Sequence, residues 1–263
     1  MAASPQVKNP KAGASLLEEA IAAHGGMSTW KKYKFATYNI NLSGQYLAHK
    51  GFPSNYHPEV KVSTTSARTE FTGLDLERPS DIWVFTPDRV WRQDSSGTEL
   101  QTRSAPRAAF DTHTRDTKWD QLHLAYFFGY AIQNYTGYPF IFAEPGFSYQ
   151  ELEEHWEPGY VNSASIPESW RVLQVEFPEN YPAHTRSQKF YFDREKLWIR
   201  RMDYVTDVAR GVAAHYVFDH RVFKGIVVPT MRRVVGRDPE TGVAAVHGPT
   251  SFLLSYFDVD FQE

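Results

Sequence analysis

Cysteine is absent from all 263 residues, which removes zinc fingers, iron–sulfur clusters, dithiol redox chemistry and cysteine nucleophiles from consideration. The chain needs no disulfide either, because a single domain of this length buries roughly 70–75% of the surface exposed when unfolded. An excess of one charge is also missing. With 28 Lys and Arg against 31 Asp and Glu, interspersed throughout, no basic stripe marks a nucleic-acid partner. No window approaches the 18 or so consecutive apolar residues of a membrane-spanning helix. Residues 1–13 are polar, with Pro5, Pro10 and Gly13, and lack the apolar core of a secretory signal. The expectation is a cytoplasmic protein with a flexible 1–14 segment and one domain over 15–263, either a monomer or a homodimer. There is no Gly-x-Ser-x-Gly elbow and no phosphate-binding glycine loop. The ten histidines never fall at HxH, HExxH or H-x₃-H spacing, so the sequence assigns no metal ligand and no cofactor. A three-histidine site assembled across strands stays open.

What the chain has in abundance is aromatic residues: eighteen Phe, fifteen Tyr and seven Trp, 15% of the whole. Strand propensity and core packing account for most individual rings. As a set they exceed what a compact core needs and leave room for a lined cavity.

Ser15 and Glu18 form a capping box ahead of a helix over 16–24, with Leu16, Leu17, Ala20 and Ile21 on one face and Gly25 as its stop. Trp30 is expected to seat this helix. Period-two patterns predict strands at 34–47, 60–72, 81–86, 89–94 and 99–103, with a long loop over 46–58. The pattern breaks for a helix over 117–135, capped by Asp116 or Thr117 and ended by Gly137-Tyr138-Pro139. A short helical piece is expected at 148–155. Strands then return at 171–177, 187–192, 197–205, 212–223, 226–237 and 251–261, joined by short turns, as in an antiparallel meander that must curl to hide its edges. The fold class is mainly β with inserted helices: a curved antiparallel sheet, or half-open β-barrel, with a helical plug.

The order helix, meander, inserted helix, meander resembles the lipoprotein-carrier superfamily that includes LolA and LolB. Leu16-Leu17-Glu18-Glu19-Ala20-Ile21-Ala22-Ala23-His24-Gly25-Gly26, followed by Trp30, looks like the entry helix of that group. Tyr126-Phe127-Phe128-Gly129-Tyr130-Ala131, Gln188-Lys189-Phe190-Tyr191-Phe192-Asp193, Ala213-Ala214-His215-Tyr216 and Gly225-Ile226-Val227-Val228-Pro229-Thr230 are similar to an uncharacterised bacterial and fungal set within it. The resemblance covers about 15–261. It implies a half-open barrel whose helices plug a cavity for acyl chains.

Three groups of residues invite chemistry. His123 shares a helical face with Trp119, Tyr126, Phe127 and Tyr130, and a histidine among aromatics can serve as general acid or base; the bland alternative is a core histidine. In the strand from Val212, His215, Val217 and Asp219 face one way, with Arg200, Arg201, Asp203 and Tyr204 before them and Arg232 and Arg233 after; a structural ion-pair ladder is the bland alternative. His184, Arg186 and Gln188 continue the face of Phe190 and Phe192 toward a pocket rim or a solvated strand end. Candidate catalytic groups are therefore His123, His184 and His215. Candidate substrate contacts are Trp119, Tyr126, Phe127, Tyr130, Gln188, Phe190, Tyr204 and Arg232. Two functions follow. One is a cofactor-independent isomerase, cyclase or lyase of a hydrophobic small molecule such as a secondary metabolite. The other is a carrier of a hydrophobic or lipid-like ligand that leaves it unchanged. Ionisable groups inside an aromatic cavity tilt the sequence reading toward the enzyme.

Overall fold

The computed structural model describes residues 15–158 and 167–263; the expected 1–14 segment lies outside them. Helix α1 (Leu16–Ala23) has the expected capping box, and its buried face is Leu16, Leu17, Ala20 and Ile21. A single turn, α2 (Met27–Trp30), ends on Trp30, which stacks on Phe140 with centroids 4.7 Å apart. Strand β1 (Phe35–Ser43) alternates buried and exposed residues. It stops at Gly44 rather than running to 47, and α3 (Gln45–Lys50) follows where a loop was expected. Gly44 explains the break: its φ is +137°, and a Cβ there would meet the Ser251 carbonyl at 2.1 Å. Only glycine lets the chain turn this close to its neighbour.

Strands β2 (Asn55–Tyr56), β3 (Glu59–Ser63) and β4 (Thr69–Thr72) come next. The single strand expected over 60–72 is thus a hairpin. The Ser63 hydroxyl accepts from the backbone N–H of Thr65 and Ser66, a local turn that competes with extension. Strands β5 (Ile82–Thr86), β6 (Arg89–Gln93) and β7 (Glu99–Ser104) complete the first meander.

Helix α4 (Gln121–Gly137) begins four residues later than expected, because Asp120 is its cap and accepts from the His123 backbone N–H. The 148–155 segment is not helical. It belongs to strand β8 (Ser148–Glu157), whose helix-forming Glu and Leu are overridden by pairing along β9 (Glu168–Glu176). The second meander continues through β10 (Ser187–Asp193), β11 (Ile199–Thr206), β12 (Gly211–Phe223), β13 (Ile226–Gly236) and β14 (Thr250–Gln262).

All pairings are antiparallel, and the strands make one sheet in the order β7-β6-β5-β4-β3-β1-β14-β13-β12-β11-β10-β9-β8, with β2 beside β1. The two meanders join through β1 and β14, from Phe35 opposite Gln262 to Ser43 opposite Leu253. The sheet does not close, since β7 and β8 remain its edges. It curls around α4. That helix reaches β4 where Thr69 donates to the Gly129 carbonyl at 3.0 Å, β14 through the Phe127–Phe252 rings at 5.8 Å, and β13 where Arg232 meets the Tyr135 carbonyl. The result is a half-open barrel with a helical plug.

The outer face of the second meander carries its own small core of Trp170, Val172, Tyr191, Tyr216 and Val235. Set in it, Arg201 bonds Asp203 at 2.7 Å and Glu157 at 3.0 Å. This is the ion-pair ladder expected of the Arg201 region, and it lies on the opposite side of the sheet from Tyr204 and His215.

Candidate functional site

Between α4 and the strands β11 to β14 lies a cavity of about 290 Å³. From α4 come Phe127, Phe128, Ala131 and Tyr135, one apolar stripe at helical spacing, while Val234, Phe252 and Leu254 face it from the sheet. Tyr46 on α3 closes one flank, and its hydroxyl donates to the Ala209 carbonyl at 2.7 Å. The mouth is marked by exposed Arg115, Arg210, Gly236 and Pro239.

The floor is a chain of buried polar groups. The Tyr130 hydroxyl lies 3.0 Å from His184 Nδ1, and His184 Nε2 lies 2.7 Å from the Tyr135 hydroxyl. Tyr135 and Tyr204 hydroxyls are 3.2 Å apart, and Tyr204 continues to His215 Nδ1 at 3.0 Å. Asn134 positions this floor by donating to the Pro182 carbonyl at 2.9 Å, which pins the 178–186 turn to α4. Burial pushes the His184 imidazole down to about 3, with nearby Arg107 adding to the effect. Burial also holds His215 well below the usual histidine range, assisted by Arg232 and His184. The tyrosines are held above theirs by the same desolvation. Every group in the chain is therefore neutral at pH 7, and each imidazole donates through only one nitrogen.

The architecture has parallels among solved structures. A domain described as that of an outer membrane lipoprotein-sorting protein, from Vibrio parahaemolyticus, matches 94% of this chain and 91% of its own with a TM-score of 0.52. The fold is LolA-like. A LolA superfamily protein from Nitrosomonas europaea superposes over 90% of this chain and 93% of its own, with a TM-score of 0.49 and 10% identity. Identity to the Vibrio domain is only 9%, so the likeness is one of shape. No family model and no curated protein matches the sequence.

Within the LolA-like fold the residues singled out from sequence are dispersed. Phe127, His184 and Tyr204 line the cavity; Tyr130 and His215 stand behind them as the ends of the polar chain. His123 is elsewhere, at the start of α4, with Nδ1 2.8 Å from Asp120 and its ring against Phe110 and His113. Trp119 packs behind Phe127. Tyr126 packs on Phe85, Phe190 on Tyr138 and Phe142, and Gln188 donates to the Thr185 carbonyl. His184 and Gln188 are buried, whereas Arg186 is exposed, so the three do not share a face. Strand β10 starts only at Ser187, and His184 belongs to the turn before it. Asp219 departs from the face of His215 and Val217: at φ +50° it is exposed and accepts from the Thr230 hydroxyl at 2.6 Å. Among the described residues no cluster of His, Asp or Glu is arranged to hold a metal ion.

Sequence reasoning missed Tyr135, Ala131 and Phe128, although the spacing of Phe127, Ala131 and Tyr135 at i, i+4 and i+8 was there to read. The expected face was rotated toward Tyr126. It also missed the mouth. Arg210 donates to the His113 and Phe110 carbonyls, and neither Arg115 nor Arg210 pairs with a carboxylate among the described residues. No local signal in the sequence brings residues 115, 210 and 236 together.

Proposed function

We propose that the chain is a carrier that holds a hydrophobic ligand in the cavity between α4 and β11–β14 without transforming it. The observation that carries this reading is the cavity itself, walled by Phe127, Phe128, Ala131, Phe252 and Leu254 and open to solvent at one end. An apolar concavity of this kind is where a small molecule binds. The neutrality of the floor supports carriage over turnover. A general base works best with a pKa near the working pH, and His184, held near 3, is far too weak at pH 7. A neutral polar floor still suits a ligand oxygen, which can accept a hydrogen bond there at no ionic cost.

The test fills the cavity. Ala131 lies on its wall and is buried, so Ala131→Phe should lower affinity for a neutral apolar probe, N-phenyl-1-naphthylamine, by roughly tenfold or more, equivalent to at least about 1.4 kcal/mol. Thermal stability should hold or rise as the void is filled. Unchanged probe affinity in a folded Ala131→Phe protein would remove the cavity as the binding site.

A further inference from the structure

Arg232 on β13 is 2% exposed, yet no Asp or Glu among the described residues pairs with it. Its Nη2 donates to the Tyr135 carbonyl at 3.3 Å, and its guanidinium lies over the rings of Tyr135 and Tyr256 at 4.9 and 5.3 Å. Among the described residues the Nε, the buried Tyr138 hydroxyl and Nε2 of His215 have no hydrogen-bond partner, and the Tyr256 hydroxyl has none beyond the Arg232 side chain. A buried charge without a counter-charge costs several kcal/mol, and the chain offers this one a single carbonyl and two ring faces but no carboxylate. Arg201, by contrast, is equally buried but held by Asp203 and Glu157.

Beside Arg232 is a second void of about 10 Å³, bounded also by Tyr135, Tyr138 and His24, about the room one water molecule needs. Tyr135 borders both this void and the main cavity. Tyr135 therefore lies between the apolar cavity and a cation without a counter-charge, with the Tyr138 hydroxyl on the same void.

We propose that Arg232 is the anchor for the carboxylate of a single-chain amphiphile, with Tyr135 as the gate that admits it and the alkyl chain lying in the main cavity. The inference rests on the carrier reading and deepens it by naming the ligand class. The planar guanidinium fork matches a carboxylate's two oxygens, and the Tyr138 and Tyr256 hydroxyls lie on hand to donate to it. The main cavity of about 290 Å³ gives the alkyl chain its room, whereas the water-sized void beside Arg232 takes the head group only as the Tyr135 ring swings aside. The anchor is at the closed end, so the amphiphile enters head first.

Calorimetric titration of the full chain with decanoate and with decanol tests this. The wild type should bind decanoate at least about tenfold more tightly, and Arg232→Met should bring decanoate down to the level of decanol. Arg232→Met should also be as stable as the wild type or more so, because an unpaired buried charge has been removed. Equal affinities in the wild type would overturn the assignment, and that comparison needs no variant to fold. Retained preference in Arg232→Met, with its loss in Arg210→Gln, would overturn it too and place the head group at the mouth. Failure of both compounds to bind would remove the carrier reading along with the anchor, whereas binding without preference removes the anchor alone.

Discussion

His24, His184 and His215 are buried and His220 is half-buried, and the four, in two pairs, share one electrostatic condition. Desolvation is the largest cause in each case, and it pushes His24 and His220 down to about 4, His184 to about 3 and His215 well below the ordinary range. His24 donates to the Ala20 carbonyl at 2.7 Å and accepts from the Ile199 N–H at 3.4 Å, and His220 donates to the Ile199 carbonyl at 2.7 Å. In the unfolded chain all four titrate near 6.5, so below that pH the unfolded state binds protons that the folded state refuses. The stability is complete above about pH 6.5 and is lost as pH falls toward 4, each histidine costing up to about 1.4 kcal/mol per pH unit. Thermal melting from pH 7.5 to 4.5 should show a steep fall beginning near 6.5; a flat profile would mean that these imidazoles are not sealed from water. The residue scale is also where the sequence was least legible. His184 and His215 could be picked out as interior candidates, but their link through Tyr135 and Tyr204 crosses α4, a turn and two strands. Arg232 was recognisable as a candidate contact, but its lack of a counter-charge exists only once the barrel is curled.

Among the elements, α4 sits closest to its neighbours at Gly129, where a Cβ would lie 2.3 Å from the Phe85 side chain on β5. Alanine is the better helix former by about 1 kcal/mol, so an isolated helix would gain from Gly129→Ala. In the folded protein the added methyl must push α4 off the sheet or Phe85 off its rotamer, and overpacking of this kind costs about 1–3 kcal/mol. Urea unfolding should therefore place Gly129→Ala about 1–2 kcal/mol below the wild type; a gain in stability would mean that the helix rides further from β5. Elements with clear periodicity, such as α1 and β9 to β14, were legible because local pattern and tertiary environment agree. At α3 and β8 they do not. The break at Gly44 is set by its approach to the Ser251 carbonyl, a contact with a strand near the other end of the chain. The glutamates of β8 would suit a helix, and only pairing with β9 makes them extended.

At the scale of the whole molecule the open barrel leaves two strand edges, β7 and β8, without a strand partner among the described residues. Exposed edges invite pairing with another chain, and charged side chains along them discourage it. Strand β8 exposes Tyr149 and Trp156 but places Glu151, Glu153 and Glu154 between them. The double substitution Glu151→Val, Glu153→Val should convert this edge into a sticky one, with light scattering rising steeply with protein concentration where the wild type stays flat. An unchanged scattering profile would show that the edge is protected by shape rather than charge.

The seam between β1 and β14 sets a timetable for the chain's birth. Strand β1 is flanked on one side by β3, while its other partner, β14, leaves the ribosome roughly two hundred residues later. At roughly 5–20 residues per second, β1 waits on the order of ten seconds or more for β14. During that interval the first meander has a raw edge at its centre as well as at its rim. A nascent chain stalled before β14 should thus be a substrate for holding chaperones, and emergence of β14 should be the step that zips two half-sheets into one.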